Sequence, residues 1–87
     1  MSEPKRLIIG VSGASGVIYG VRLLEALKPL PVESHLVMTR TAEVTLAHET
    51  KLKVGDVRNL ADVAHSVDDL AAAVSSGSFR TIGMIVA

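Results

Sequence analysis

An α/β fold with a doubly wound parallel sheet in three layers, α/β/α, is predicted by three features of the sequence. The apolar run Leu7-Ile8-Ile9 passes through the glycine-rich turn Gly10-Val11-Ser12-Gly13-Ala14-Ser15-Gly16 straight into a helix-patterned segment, so a strand is followed by a helix and not by a hairpin return. The same strand-then-helix order recurs after Pro31, and a further apolar run, Gly83-Met84-Ile85-Val86-Ala87, comes last. Strands alternating with helices need crossover connections, which are right-handed and lay helices on the faces of a parallel sheet.

Each element follows from its local pattern. Arg6 to Val11 reads as a buried parallel strand. From Val17 to Lys28, the residues Val17, Val21, Leu24 and Leu27 share one helix face, and Pro29 and Pro31 stop the helix. Val32 to Met38 is the second strand, and Thr39 or Thr41 caps a helix running to about Thr50. Lys51 to Gly55 is a polar connection. Asp56 to Val63 fits a short helix, and Asp68 to Val74 fits another behind a Ser66 or Asp68 cap. Ser75-Ser76-Gly77-Ser78 is a loop by composition, and Gly83 to Ala87 is expected as a third buried strand. Three strands are few for a doubly wound sheet, so residues 1–87 are expected to form the N-terminal portion of a single, longer domain.

Composition narrows the function classes. Nine basic residues balance nine acidic ones, and there is one Phe, one Tyr and no Trp, which argues against a nucleic-acid surface. With no cysteine there is neither a disulfide framework nor a thiolate nucleophile, and the simplest location is cytoplasmic. The apolar runs are too short for a membrane span.

The glycine turn is the first chemical candidate. Glycine lets the backbone come close to a ligand, and the free N–H groups and positive dipole end of the following helix favour a phosphate. The spacing Gly10, Gly13, Gly16, Gly20 matches neither the dinucleotide fingerprint nor the Gly-Lys-Ser/Thr phosphate loop, so mononucleotide binding stands beside a plain tight turn. Thr39 closes the second strand on the edge where open α/β sheets bind ligands, and it also suits a helix N-cap. Glu49 lies seven positions after Ala42 and three after Leu46, so it shares a face with apolar residues. Partial burial there would raise its pKa and suit it to proton transfer, whereas a solvated helix carboxylate is the ordinary alternative. His35, His48 and His65 are spaced unlike a local metal motif and read as structural or exposed. Arg80, beside the serine loop, suits a phosphate or plain solvent.

Taken together, Leu7 to Gly16, Tyr19-Gly20-Val21-Arg22-Leu23-Leu24, His35-Leu36-Val37-Met38, Glu49-Thr50 and Ser75-Ser76-Gly77-Ser78-Phe79-Arg80-Thr81 resemble the UbiX-type flavin prenyltransferases, from Lys5 to Ala87. The resemblance implies a flavodoxin-like or Rossmann-like fold that binds FMN and, without a metal, joins a dimethylallyl group from dimethylallyl monophosphate to the reduced flavin. The product serves a UbiD-type decarboxylase, as in ubiquinone biosynthesis. Carried over by position, Gly13, Ala14 and Ser15 would hold the flavin mononucleotide, with Thr39 where the family usually has serine. Glu49 matches the family's active-site glutamate and would assist proton movement, with Ser15 near the reacting groups. Members are homo-oligomers with active sites near subunit interfaces. They continue into a Pro-Cys-Ser segment and further prenyl-phosphate ligands not found in these 87 residues, which alone are expected not to turn over. Two other readings are a flavin-binding module without transferase activity and a related flavoprotein that decarboxylates a peptidyl cysteine.

Overall fold

The structure, a computed structural model, describes residues 5–12, 17–75, 77, 81 and 83–87. In chain order the elements are β1 (Lys5–Val11), α1 (Val17–Leu27), β2 (Val32–Met38), α2 (Arg40–Glu49), α3 (Val54–Leu60), β3 (Val63–His65), α4 (Val67–Ser75) and β4 (Gly83–Val86). The strands form one parallel sheet in the order β3-β2-β1-β4. The chain therefore winds outward from β1 through β2 to β3, then crosses back to place β4 on the other side of β1. That reversal is the doubly wound topology expected from the alternation of strands and helices.

Strand alternation divides the core. Ile9 and Val11 of β1 join Leu36 and Met38 of β2 under α1, α2 and α3, where Leu24, Leu46 and Val57 are also buried. The opposite face carries Ile8 and Val37 and is met by Leu70 of α4. The larger cluster thus lies on the three-helix side. The stripe expected for the first helix is the one that packs, with Val17, Val21, Leu24 and Leu27 all buried.

Gly20 is set by a close approach within this layer. A Cβ built there would lie 2.6 Å from Val11 Cγ2, and a β-branched side chain in a strand has little room to give way. Gly20→Ala should therefore destabilise the fold. Overpacking costs about 1–3 kcal/mol and helix propensity returns about 1 kcal/mol, for a net loss of about 1 kcal/mol in urea unfolding. A more stable variant would show that α1 does not pack this closely on β1.

Two expectations need correction. The helix expected over Asp56 to Val63 instead runs from Val54 to Leu60, and residues 63–65 form an additional short strand. At its start, the Asp56 carboxylate accepts from the Lys53 N–H at 3.0 Å, fixing the first turn earlier than the apolar pattern implied. At its end, Asp62 is tied to β2: its carboxylate accepts from the Ser34 N–H at 2.8 Å, and its own N–H donates to Ser34 Oγ at 3.0 Å. This long-range clamp turns the chain into β3. The last strand lies where expected but is not buried, since Met84, Ile85 and Val86 are 54%, 41% and 65% exposed. It is an outer strand, paired with β1 from Leu7↔Gly83 to Gly10↔Val86 and with no second neighbour among the described residues. Of the two readings of Glu49, the structure has the ordinary one: it is exposed, although Ala42 and Leu46 on its face are buried. The apolar face of α2 ends at Leu46, whose carbonyl accepts from both the N–H and the hydroxyl of Thr50 as the helix closes.

Candidate functional site: a cleft at the carboxyl edge of the sheet

β1 and β2 run in register from Lys5↔Val32 to Val11↔Met38, which brings their carboxyl ends to one edge. Pairing continues beyond the strands. The Thr39 N–H donates to the Val11 carbonyl at 3.0 Å, the Ala87 N–H to the Gly10 carbonyl at 2.8 Å, and the Ser12 N–H to the Ala87 carbonyl at 3.2 Å. Ser12, Thr39 and Ala87 are thereby aligned beside the point where strand order reverses. Crevices outside the carboxyl ends at such a reversal are where open α/β sheets bind ligands.

A cavity of about 560 Å³ lies there beneath α4. Gly10, Val37 and Met84 form its floor, Leu70, Ala71 and Val74 of α4 form a wall, and the hydroxyl residues Ser12, Thr39 and Ser75 stand on its border. The volume is in the range of about 300–1,000 Å³ usual for small-molecule sites. Apolar walls with polar groups at the border suit a flat, apolar-faced ring whose edges carry hydrogen-bonding atoms. Gly10 contributes by what it lacks: a Cβ there would stand 2.8 Å from Met84 Cε, so glycine lets Met84 lie across β1 and complete the floor.

Thr39 combines both roles considered for it. Its Oγ1 accepts from the Ala42 N–H at 3.2 Å as the cap of α2, and the residue also borders the cavity. The hydroxyl proton is not used by that cap and can donate to a ligand. Gly13, Ala14 and Ser15 lie outside the described residues, as do Ser76, Ser78 and Arg80. Glu49 is not brought to the cleft. It is the last residue of α2, ten positions after Thr39, which is about 15 Å along a helix.

A second cavity of about 440 Å³ opens at the carboxyl ends of β2 and β3. Its charged residues oppose one another, Arg58 Nη2 lying 3.4 Å from Glu43 Oε1, with Arg40 and Asp68 also on its lining.

The cleft residues missed by motif reading are those of α4 and β4. Leu70 and Val74 are four positions apart on one helix face, a visible signal, but only the crossover places that face over Gly10 and Met84. Among the histidines, His48 is exposed while His35 is buried and bonded, in keeping with a structural reading.

These features define a parallel α/β protein with a ligand cleft at its topological switch point. The model of the Flavoprotein family matches residues 1–86, and the chain belongs to that family. It is 54% identical over 83 residues to flavin prenyltransferase UbiX of Escherichia coli (strain K12), a match covering 94% of this chain and 44% of that protein. The chain thus spans less than half the length of the curated relatives it matches. Among solved structures, the crystal structure of AnUbiX (PadA1) in complex with FMN and dimethylallyl pyrophosphate aligns with a TM-score of 0.86 at 48% identity, covering 97% of this chain and 45% of that one. A dodecameric FMN-dependent UbiX-like decarboxylase from Escherichia coli O157:H7 aligns with a TM-score of 0.82 at 52% identity, covering 93% and 44%.

Proposed function

We propose that the chain supplies the flavin-binding part of a flavin prenyltransferase, which transfers a dimethylallyl group from dimethylallyl monophosphate to reduced FMN. The observation that carries this reading is the apolar cleft with hydroxyls at its border at the switch point, in a chain 54% identical to a protein of that activity. The cleft fits FMN: its walls match the faces of the ring system, and Ser12 and Thr39 offer donors beside the turn that would hold the phosphate. When bound and reduced, the flavin supplies an electron-rich ring that the allyl carbon can join.

The remaining work falls to the chain's own groups. Gly13, Ala14 and Ser15 bind the mononucleotide through backbone amides and a hydroxyl, which suit phosphate oxygens without a metal. Thr39 donates its hydroxyl proton while its oxygen holds the α2 cap. The cleft walls exclude water, protecting an allylic centre that water would otherwise capture. Glu49 moves a proton, with Ser15 near the reacting groups. Because Glu49 is exposed at the far end of α2, this role is best served in a homo-oligomer, where the carboxylate of one copy meets the cleft of another. A relative is named as dodecameric, which supports an assembly. The allyl donor reads as the monophosphate by family resemblance, while a solved relative holds the pyrophosphate. No helix among the described residues is long and apolar enough to cross a membrane. A cytoplasmic location, and delivery of the product to a UbiD-type decarboxylase in ubiquinone biosynthesis or related aromatic acid decarboxylation, complete the proposal.

The test is an FMN titration followed by flavin fluorescence, then mass analysis after reductant and dimethylallyl monophosphate are added to a chain of the relatives' length. A flavin mass increased by the prenyl group is expected. In that chain Glu49→Gln should leave FMN affinity unchanged and slow product formation by about 10²-fold or more, the usual effect of losing a proton-transfer group. FMN binding with no mass shift would favour a flavoprotein without prenyl transfer, a reading to which the name of the decarboxylase relative gives some weight.

A further inference from the structure

We propose that His35 and His65 form a one-proton latch between β2 and β3, and that a second proton opens it and loosens the β3–α4 segment. The geometry is on the face of the sheet covered by α4. His35 Nδ1 and His65 Nε2 are 2.8 Å apart with ring planes 16° apart, while His35 Nε2 lies 2.6 Å from Glu33 Oε1. Glu33 in turn is 3.4 Å from Arg6 Nε. His35 is only 4% exposed, so this chain of contacts enters the interior.

Proton counting decides what the pair tolerates. With both rings neutral, His35 donates from Nε2 to Glu33 and accepts at Nδ1 from His65. With one proton added, His35 as imidazolium donates to both Glu33 and His65, and the contact survives. With two added, an N–H on each ring faces the other across 2.8 Å, and the hydrogen bond becomes a repulsion between like charges. Among the described residues, the groups facing the pair include Arg6 from β1, Glu33 from β2 and Asp69 from α4, and His65 also borders a cavity lined by Arg40 and Glu43 of α2, Arg58 of α3 and Asp68 of α4. Burial holds His65 below the ordinary imidazole value of 6.5, the charge on His35 acts in the same direction, and Asp69 opposes them. The hydrogen bond from His35 holds Glu33 below its ordinary 4.5 against partial desolvation, with the charges of His35 and Arg6 adding to the effect. Glu33 therefore stays ionised while His65 titrates.

The latch matters because β3 is only three residues long and α4 begins two positions after His65. Loss of the His35–His65 bond leaves the Asp62–Ser34 clamp on the other side of β3, but frees the end that leads into α4. A group whose folded pKa is lowered leaves the open state holding more protons. The closed state is then fully favoured above pH 6.5 and is weakened as pH falls below it toward the lowered His65 value. Any effect on flavin affinity rests on the proposed function, because α4 walls that cleft. The latch itself is tested without ligand, so the two can fail separately.

The experiment is amide hydrogen exchange across residues 63–75, referenced to Ile8–Gly10 in β1 and corrected for intrinsic pH dependence, from about pH 8 to about pH 5. In the wild-type chain, opening of residues 63–75 should increase by up to about tenfold per pH unit below 6.5, the slope of one proton. His65→Gln keeps a neutral N–H donor but takes up no proton, and should remove this slope. Equal slopes in both proteins, or none in the wild type, would overturn the latch. Should the variant fail to fold, the imidazole nitrogen shifts of the wild type decide: two separated titration steps support the latch, and a single step shared by both rings overturns it.

Discussion

Leu24→Ala is expected to lower the unfolding free energy by about 3.5–5 kcal/mol. Leu24 is fully buried in the cluster that joins α1 to β1 and β2, together with Ile9 and Leu36. Truncation removes the transfer free energy of the deleted carbons and leaves a cavity, and for buried leucines the sum is about 2–5 kcal/mol. The upper half of that range applies because the surrounding Ile9, Leu36 and Val11 sit on paired strands whose backbones cannot collapse into the gap. Total stability scales as roughly 0.05–0.15 kcal/mol per residue, which is only about 4–13 kcal/mol over 87 residues. The variant should therefore lose at least about a quarter of the total stability, while Ile18→Ala, nearly two turns earlier in α1 and exposed, should change the urea midpoint little. A Leu24→Ala loss under about 1 kcal/mol would mean that the three-helix side is not the principal core.

Ala71→Glu is expected to weaken FMN binding by about 10- to 100-fold without unfolding the chain. Ala71 is exposed in the middle of α4 and faces the cleft, and both residues are good helix formers, so the fold should be nearly unaffected. Bound flavin would cover this position. A carboxylate held against an apolar ring face loses hydration without gaining a partner, at a cost of about 1–3 kcal/mol. That corresponds to roughly 10- to 100-fold in affinity. Ala72→Glu changes the neighbouring exposed position, which does not line the cleft, and should bind as the wild type does. Equal FMN affinity in Ala71→Glu and the wild type would remove the α4 cleft as the flavin site.

Both predictions show which parts of the molecule can be read locally. The α1 stripe of Val17, Val21, Leu24 and Leu27 was legible because four apolar residues at helical spacing leave one way to bury them. Thr39 was legible as a cap because its hydroxyl position is set by the next three residues. β3 was not legible: three residues carry no periodicity, and what places them is a clamp between Asp62 and Ser34, twenty-eight positions apart. Glu49 marks the limit of a face read from spacing. Its spacing from Ala42 and Leu46 was read correctly as a shared face, yet burial depends on where the neighbouring layer ends, and it ends before Glu49.

The amino-acid sequence by itself determined the α/β class, the order of the principal strands and helices, a threonine cap at Thr39 or Thr41 and the family. These depend on short-range patterning and on residue identity along the chain. Only the tertiary structure decided that Leu70, Ala71 and Val74 of α4 meet Gly10, Val37 and Met84 around one cleft, and that His35 Nδ1 and His65 Nε2 come within 2.8 Å across two strands. Those contacts join residues that no period connects. They exist because the chain winds outward from β1 and then crosses back over the sheet, and the direction of that return is a property of packed layers rather than of any local segment.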